Sequence, residues 1–78
     1  MKEYMPLAVV VNEDGSTGEL RGPGRTAKMY DAFRTMKEWA EVYGDRLTDR
    51  RIEVWDRGRV QYTIRITETK KKRQMAGN

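Results

Sequence analysis

The chain contains no cysteine and no histidine. The first absence excludes disulfides. Together they exclude zinc sites built from Cys and His, and every catalytic dyad or triad that needs a thiol or an imidazole. Proton transfer near neutral pH would then fall to a strongly shifted carboxylate, Lys or Tyr, and no residue pattern points to one. Long apolar runs are also missing. Nothing approaches the ~18 residues of a membrane span, and no signal-peptide pattern opens the chain. With 78 residues there is material for one domain and a modest core.

Charge is abundant, but unevenly placed. The chain is 37% apolar and 36% charged, with 16 Lys+Arg against 12 Asp+Glu, a net charge of +4. Residues 1–69 hold 12 basic and all 12 acidic groups, so the excess sits in Lys70, Lys71, Lys72 and Arg73. Residues 1–44 are at −1 and residues 45–67 at +2. The expected organisation is a single domain over 1–69 and a mobile basic tail over 70–78, a segment with no packing pattern.

The first apolar segment, Leu7-Ala8-Val9-Val10-Val11, is β-branched and short, which predicts a strand. Pro6 just ahead of it suits a strand start or an edge. Asp14-Gly15 reads as a two-residue type I′ turn. Glu13 then faces Ser16, Val9 faces Leu20 and Val11 faces Gly18, and Leu7, Val9, Val11 and Leu20 share the core side of a hairpin over about 5–21. Arg21-Gly22-Pro23-Gly24-Arg25 is punctuation. Thr26 is placed to cap a helix starting at Ala27. Met29, Ala32, Phe33, Met36, Ala40 and Tyr43 form its apolar stripe, with Trp39 at the edge and Gly44 as the stop. Arg34–Glu38 and Lys37–Glu41 are i,i+4 pairs worth ~0.3 kcal/mol each.

Two alternating segments follow, Arg51–Trp55 and Val60–Ile66. A two-residue Arg57-Gly58 loop pairs Val54 with Gln61 and mixes the faces. A three-residue Asp56-Arg57-Gly58 loop pairs Val54 with Val60 and Ile52 with Tyr62, with Gly58 in the left-handed position. The fold class is therefore α+β: a small single domain of order β-β-α-β-β, an antiparallel sheet with one amphipathic helix packed on one face. The expected core is Leu7, Val9, Val11, Leu20, Met29, Phe33, Met36, Ala40, Tyr43, Ile52, Val54, Val60, Tyr62, Ile64 and Ile66.

Motifs that carry chemistry fall short. Gly18–Thr26 resembles a phosphate loop but is one residue too long and has Arg where Lys is needed. Gly-rich backbone flanked by Arg21 and Arg25 ahead of a helix still offers an anion contact. Asn12-x-Asp14-Gly15-Ser16 lacks the glycine and glutamate of a calcium loop. Asp45, Asp49, Glu53 and Asp56 interleave with arginines and read as salt-bridged surface. No catalytic residue, metal site or cofactor is expected, and the chain reads as non-enzymatic.

What remains is a surface. Arg51, Glu53, Trp55, Arg59, Gln61, Thr63 and Arg65 point away from the apolar side of the last hairpin, with Trp55 facing Arg59. Trp55, Arg51, Arg57, Arg59 and Arg65 are the candidate partner-binding residues, suited to a protein surface. The alternative is a DNA or RNA contact through the same face, aided by Arg21, Arg25 and the Lys70–Arg73 cluster. Size, the lack of Cys and His, β-β-α-β-β order and the missing catalytic constellation together resemble the small anti-CRISPR proteins of phages and mobile elements. That resemblance implies a stoichiometric inhibitor in the cytoplasm of a bacterial host. It would bind a CRISPR effector subunit and block target-DNA recruitment or activation, as a monomer or homodimer. Many such proteins are acidic DNA mimics, and this chain has no acidic excess.

Overall fold

The computed structural model describes residues 1–67. It holds four strands and one α-helix in the order β1 (Lys2–Val11), β2 (Thr17–Arg21), α1 (Met29–Tyr43), β3 (Leu47–Asp56) and β4 (Arg59–Arg65), with a 3-10 turn at Gly44–Arg46. Every strand pair is antiparallel and the sheet order is β2-β1-β3-β4. No helix among the described residues is long and apolar enough to cross a membrane. The expected basic tail over 70–78 lies outside the described residues.

β1 is longer than Leu7–Val11 and runs through the middle of the sheet. Its first half, Lys2 to Pro6, pairs with Asp56 to Ile52 of β3. Pro6 is therefore interior to a central strand, contrary to the expectation of a strand start or edge. The reason is local. The Pro6 carbonyl accepts the Gly22 amide at 2.9 Å, so its backbone faces the β2 side at the point where β2 has just ended at Arg21. The missing proline amide costs no rung of the β1–β3 ladder.

The two hairpin turns exchange the lengths expected of them. At the first, Asn12 donates to Ser16 at 2.8 Å and Gly15 to Asn12 at 3.0 Å, enclosing Glu13-Asp14-Gly15. Gly15 has φ +88, and Asp14 is not in the left-handed region, so a type I′ turn is ruled out. Ala8 now pairs with Leu20, and Val9 with Glu19. This one-residue correction reverses the faces of β1. Ala8 and Val10 enter the core, while Leu7, Val9 and Val11 take the opposite face.

At the second turn, Arg57 (φ +57) and Gly58 (φ +78) form the two-residue loop and Asp56 pairs with Arg59. The mixing of faces is cured by a bulge at Gln61. Trp55 pairs with Val60, yet Val54 pairs with Tyr62 and Ile52 with Ile64. The expected Val54–Val60 and Ile52–Tyr62 pairs are replaced accordingly.

A further bulge sits in β3. Leu7 pairs with Arg51 and Val9 with Thr48, so Asp49 and Arg50 together oppose Ala8, with Asp49 at φ +49. This extra residue lets Leu47 and Ile52, five positions apart, reach the same side of the sheet. The core on that side joins Ala8, Val10, Leu47 and Ile52 to Ala32 and Met36 of α1, with Tyr4, Leu20, Met29, Trp39, Ala40, Tyr43 and Ile66 packed around them. Phe33 and Tyr62, 41% and 50% exposed, lie at its margin, and Val60, also an expected core residue, falls beside Trp55 on the opposite face at 41% exposed. β4 is an edge strand, and the core residues of the helix gather over β1 and β3.

The helix starts two residues later than expected. Its N-cap is Lys28, extended and without a side-chain cap. Thr26 does not cap it, because its backbone pairs with Tyr4 (2.8 and 2.9 Å) and its hydroxyl donates to the Lys28 carbonyl at 3.0 Å. Gly44, φ +58, ends the helix as expected, its amide bonded to the Ala40 carbonyl.

Candidate functional site: the open face of the sheet

The sheet face opposite α1 is the one left by these registers. Adjacent strands place Glu3 beside Trp55, and Trp55 beside Val60. Further along, Arg21, Leu7, Arg51 and Arg65 fall in one row across all four strands. Three arginines in a row would repel if left alone. Each is met by an acid. Arg21 contacts Glu53 at 3.2 Å, Arg51 contacts Asp49 at 3.4 Å and Glu19 at 4.0 Å, and Arg65 contacts Asp49 at 2.8 Å. Leu7, only 1% exposed, lies between Arg21 and Arg51, whose aliphatic stems shield apolar surface.

Trp55 is half-buried and held on two sides. Its indole N–H donates to Glu53 at 3.1 Å. The guanidinium of Arg25 lies over its ring, 4.3 Å from the centroid, and donates to Glu3 at 3.0 Å. The β2–α1 segment delivers Arg25 to this position because Thr26 is stitched to Tyr4, next to Glu3 in β1. Sequence alternation pairs Trp55 with Arg59. The two-residue Arg57-Gly58 turn overturns this, putting Val60 in that place and Arg59 opposite Asp56 on the other parity. Arg57 and Arg59, with Asp56 and Gln61, line a shallow polar depression of about 400 Å³ at the β3–β4 turn.

Among the sequence candidates, then, Trp55, Arg51 and Arg65 share the open face, and Arg57 and Arg59 lie at one end of the hairpin. Arg21 and Arg25 do not converge on the helix start as an anion contact; they join the open face through Glu53 and Glu3. Lys70, Lys71, Lys72 and Arg73 lie outside the described residues. Glu3, Glu19 and Asp49 complete the face, and no alternation pattern singles them out. Glu3 and Glu19 are brought in by register alone, and Asp49 by a positive φ at a bulge.

The resulting lattice is charge-balanced: Arg21, Arg25, Arg51 and Arg65 against Glu3, Glu19, Asp49 and Glu53. Among the described residues, no three acidic side chains gather at metal-binding distance. A second feature, on α1, is a small depression of about 220 Å³ lined by Tyr30, Phe33, Arg34 and Lys37. Comparison with protein-family models, curated proteins and solved structures finds no match.

Proposed function

We propose that this chain is a non-catalytic binding protein that docks the Trp55 face of its sheet against a protein partner. The observation behind this reading is the balanced lattice around a half-buried tryptophan. Trp and Arg dominate interface hot spots, and side chains already held by neighbours lose little freedom on binding. A polyphosphate partner asks for uncompensated positive charge, and each arginine of this lattice already has a carboxylate. A mixed-charge protein surface can exchange partners with it one for one. One sheet face of this size suits a standard interface of about 800 Å² per partner.

Within that class, the resemblance to anti-CRISPR proteins supports a specific role: a phage-type inhibitor that binds an effector subunit and blocks target-DNA recruitment or activation. The test uses a purified type I effector complex with labelled target DNA. The full chain should lower DNA recruitment stoichiometrically. Trp55→Ala and Arg25→Glu should abolish that effect, while Arg59→Glu, off this face, should preserve it. Equal inhibition by all variants removes the face from the mechanism. Binding of the full chain to bare DNA or RNA, lost steeply with salt, would favour the nucleic-acid alternative instead.

A further inference from the structure

Among the described residues the sheet ends at two edges, β2 and β4, and they differ. β2 is five residues long and is followed by Gly22-Pro23-Gly24, where Pro23 lacks an amide donor. Full antiparallel overlap of β2 with a copy of itself sets Glu19 against Glu19. β4 is seven residues long, and Tyr62 on it is 50% exposed.

The backbone direction along β4 can be read from its ladder. The Ile66 amide donates to the Arg50 carbonyl of β3 at 2.9 Å. Alternation then turns Ile64 toward β3 and directs the N–H and C=O of Thr63 and Arg65 outward, away from the sheet. An antiparallel partner must match outward residues with outward residues, so only registers shifted in steps are allowed. The bulge at Gln61 breaks this alternation and puts Arg59 on the other face from Arg65, so an overlap centred on Tyr62 stays regular only over Gln61–Thr63. Centring on Ile64 shortens the overlap. Centring on Thr63 opposes Tyr62 to Ile64 and Gln61 to Arg65, with no charge repeated and Thr against Thr on the axis. Apolar and Thr–Thr cross-strand pairs of this kind stabilise a sheet.

We infer that β4 is a self-association edge: two copies of this chain join through β4 into a continuous eight-stranded antiparallel sheet with Thr63 on the dyad. The dyad runs perpendicular to the sheet. Both helices therefore lie on one side, and Tyr62 and Ile64 of the two copies meet between them. The two Trp55 faces become one continuous surface on the other side, left open for a partner. Arg65, already neutralised by Asp49 at 2.8 Å, brings no free charge to the seam.

The experiment is sedimentation equilibrium of the full chain over a concentration series. Wild type should approach dimer mass as concentration rises. Thr63→Glu and Thr63→Lys each place like charges across the axis and should weaken dimerisation by about tenfold or more. Thr63 is exposed, so both variants should fold, with unchanged far-UV circular dichroism. An equimolar mixture of the two sets Glu against Lys and should restore the dimer. Wild type that stays monomeric throughout overturns the inference. So does a Thr63→Glu chain that dimerises like wild type, or a mixture of folded variants that stays monomeric.

Discussion

Glu53 and Trp55, two residues apart on one face of β3, are joined by a hydrogen bond from the indole N–H to Glu53 Oε1 at 3.1 Å. The same oxygen accepts from Arg21 at 3.2 Å, across the sheet on β2. One carboxylate thus fixes the ring of the largest side chain on the open face and ties it to the far edge. Arg25 completes the arrangement from above the ring. The tryptophan is presented in a set orientation by groups drawn from β2, β3 and the segment before α1, and the proposed docking role rests on that pre-ordering.

Removing this carboxylate should be felt more than an exposed ion pair would suggest. The Glu53 side chain is 17% exposed, and Glu53→Ala leaves a half-buried indole N–H without its acceptor. A loss of about 1–2 kcal/mol is expected, combining an unsatisfied donor with a weak ion pair. Glu53→Gln keeps an acceptor oxygen and should lose about half as much. Urea denaturation gives the difference, and hydrogen exchange at the Trp55 indole should accelerate in Glu53→Ala alone. Equal losses in both variants would mean that the charge, not the hydrogen bond, is the working part.

Gly22 tests the packing around the central proline. A Cβ at Gly22 would stand 2.8 Å from Pro6 Cγ and 2.9 Å from Cδ. Pro6 is fully buried, and its ring has no rotamer by which to retreat. Gly22→Ala should therefore cost about 1–3 kcal/mol, the usual range for overpacking. Gly24, two positions on, has open space at its Cβ position and no left-handed φ. Gly24→Ala should be neutral or mildly stabilising by up to about 1 kcal/mol through the unfolded chain. Thermal melts of the pair decide it, and similar Tm values would contradict the close approach.

The order of elements was legible in the sequence because it rests on strong local signals: β-branched runs, one amphipathic stripe, Gly44 as a stop. The registers were not. Asp14-Gly15 favours a type I′ turn on residue preference, but the Asp14 carboxylate binds both the Ser16 amide (2.9 Å) and hydroxyl (2.6 Å), which closes a three-residue loop. Simple alternation argues against Arg57-Gly58 as a two-residue loop, and the bulge at Gln61 repairs that alternation. Bulges leave no period in the sequence, since they act by breaking one. The same blind spot hid the partner of Trp55. Arg25 reaches the ring through the Thr26–Tyr4 bridge, a long-range pairing without a sequence signature.

The first turn should report on pH. Hydrogen bonds from the Ser16 side chain, and then its amide, hold the Asp14 carboxyl below the usual carboxylate range. A folded pKa below the unfolded one means the carboxylate form favours the hairpin. That contribution is complete above the unfolded carboxylate value and is lost as pH falls through the folded value. Ser16→Ala removes the largest cause and should move the Asp14 titration upward. The carboxyl carbon shift, followed by NMR from neutral to acid pH, checks it. An unchanged midpoint in Ser16→Ala would show that the hydroxyl bond does not set the pKa.

Two single-residue deletions in β4 should have opposite outcomes. Gln61 is the extra residue between the Trp55–Val60 and Val54–Tyr62 pairs. Deleting it makes the ladder regular, with every later pair unchanged. Its side chain contributes only exposed bonds to the Asp56 and Arg59 carbonyls at 3.0 and 3.4 Å. The shortened chain should fold with a stability within about 1 kcal/mol of wild type, since a bulge adds a bend and not an energy of its own. Deleting Thr63 instead forces a choice. Either the Arg57-Gly58 turn is kept and Gln61 turns inward opposite the fully buried Val54, or Ile64 leaves Ile52. Both displace apolar area from the helix side, at a cost of about 1–2 kcal/mol at the usual rate per unit of buried surface. Urea midpoints of the two deletions measure the contrast, and the Val54–Tyr62 and Ile52–Ile64 cross-strand NOEs should both survive only in the Gln61 deletion. If the Gln61 deletion is the more damaging of the two, the bulge is a structural requirement, not the repair of a two-residue turn.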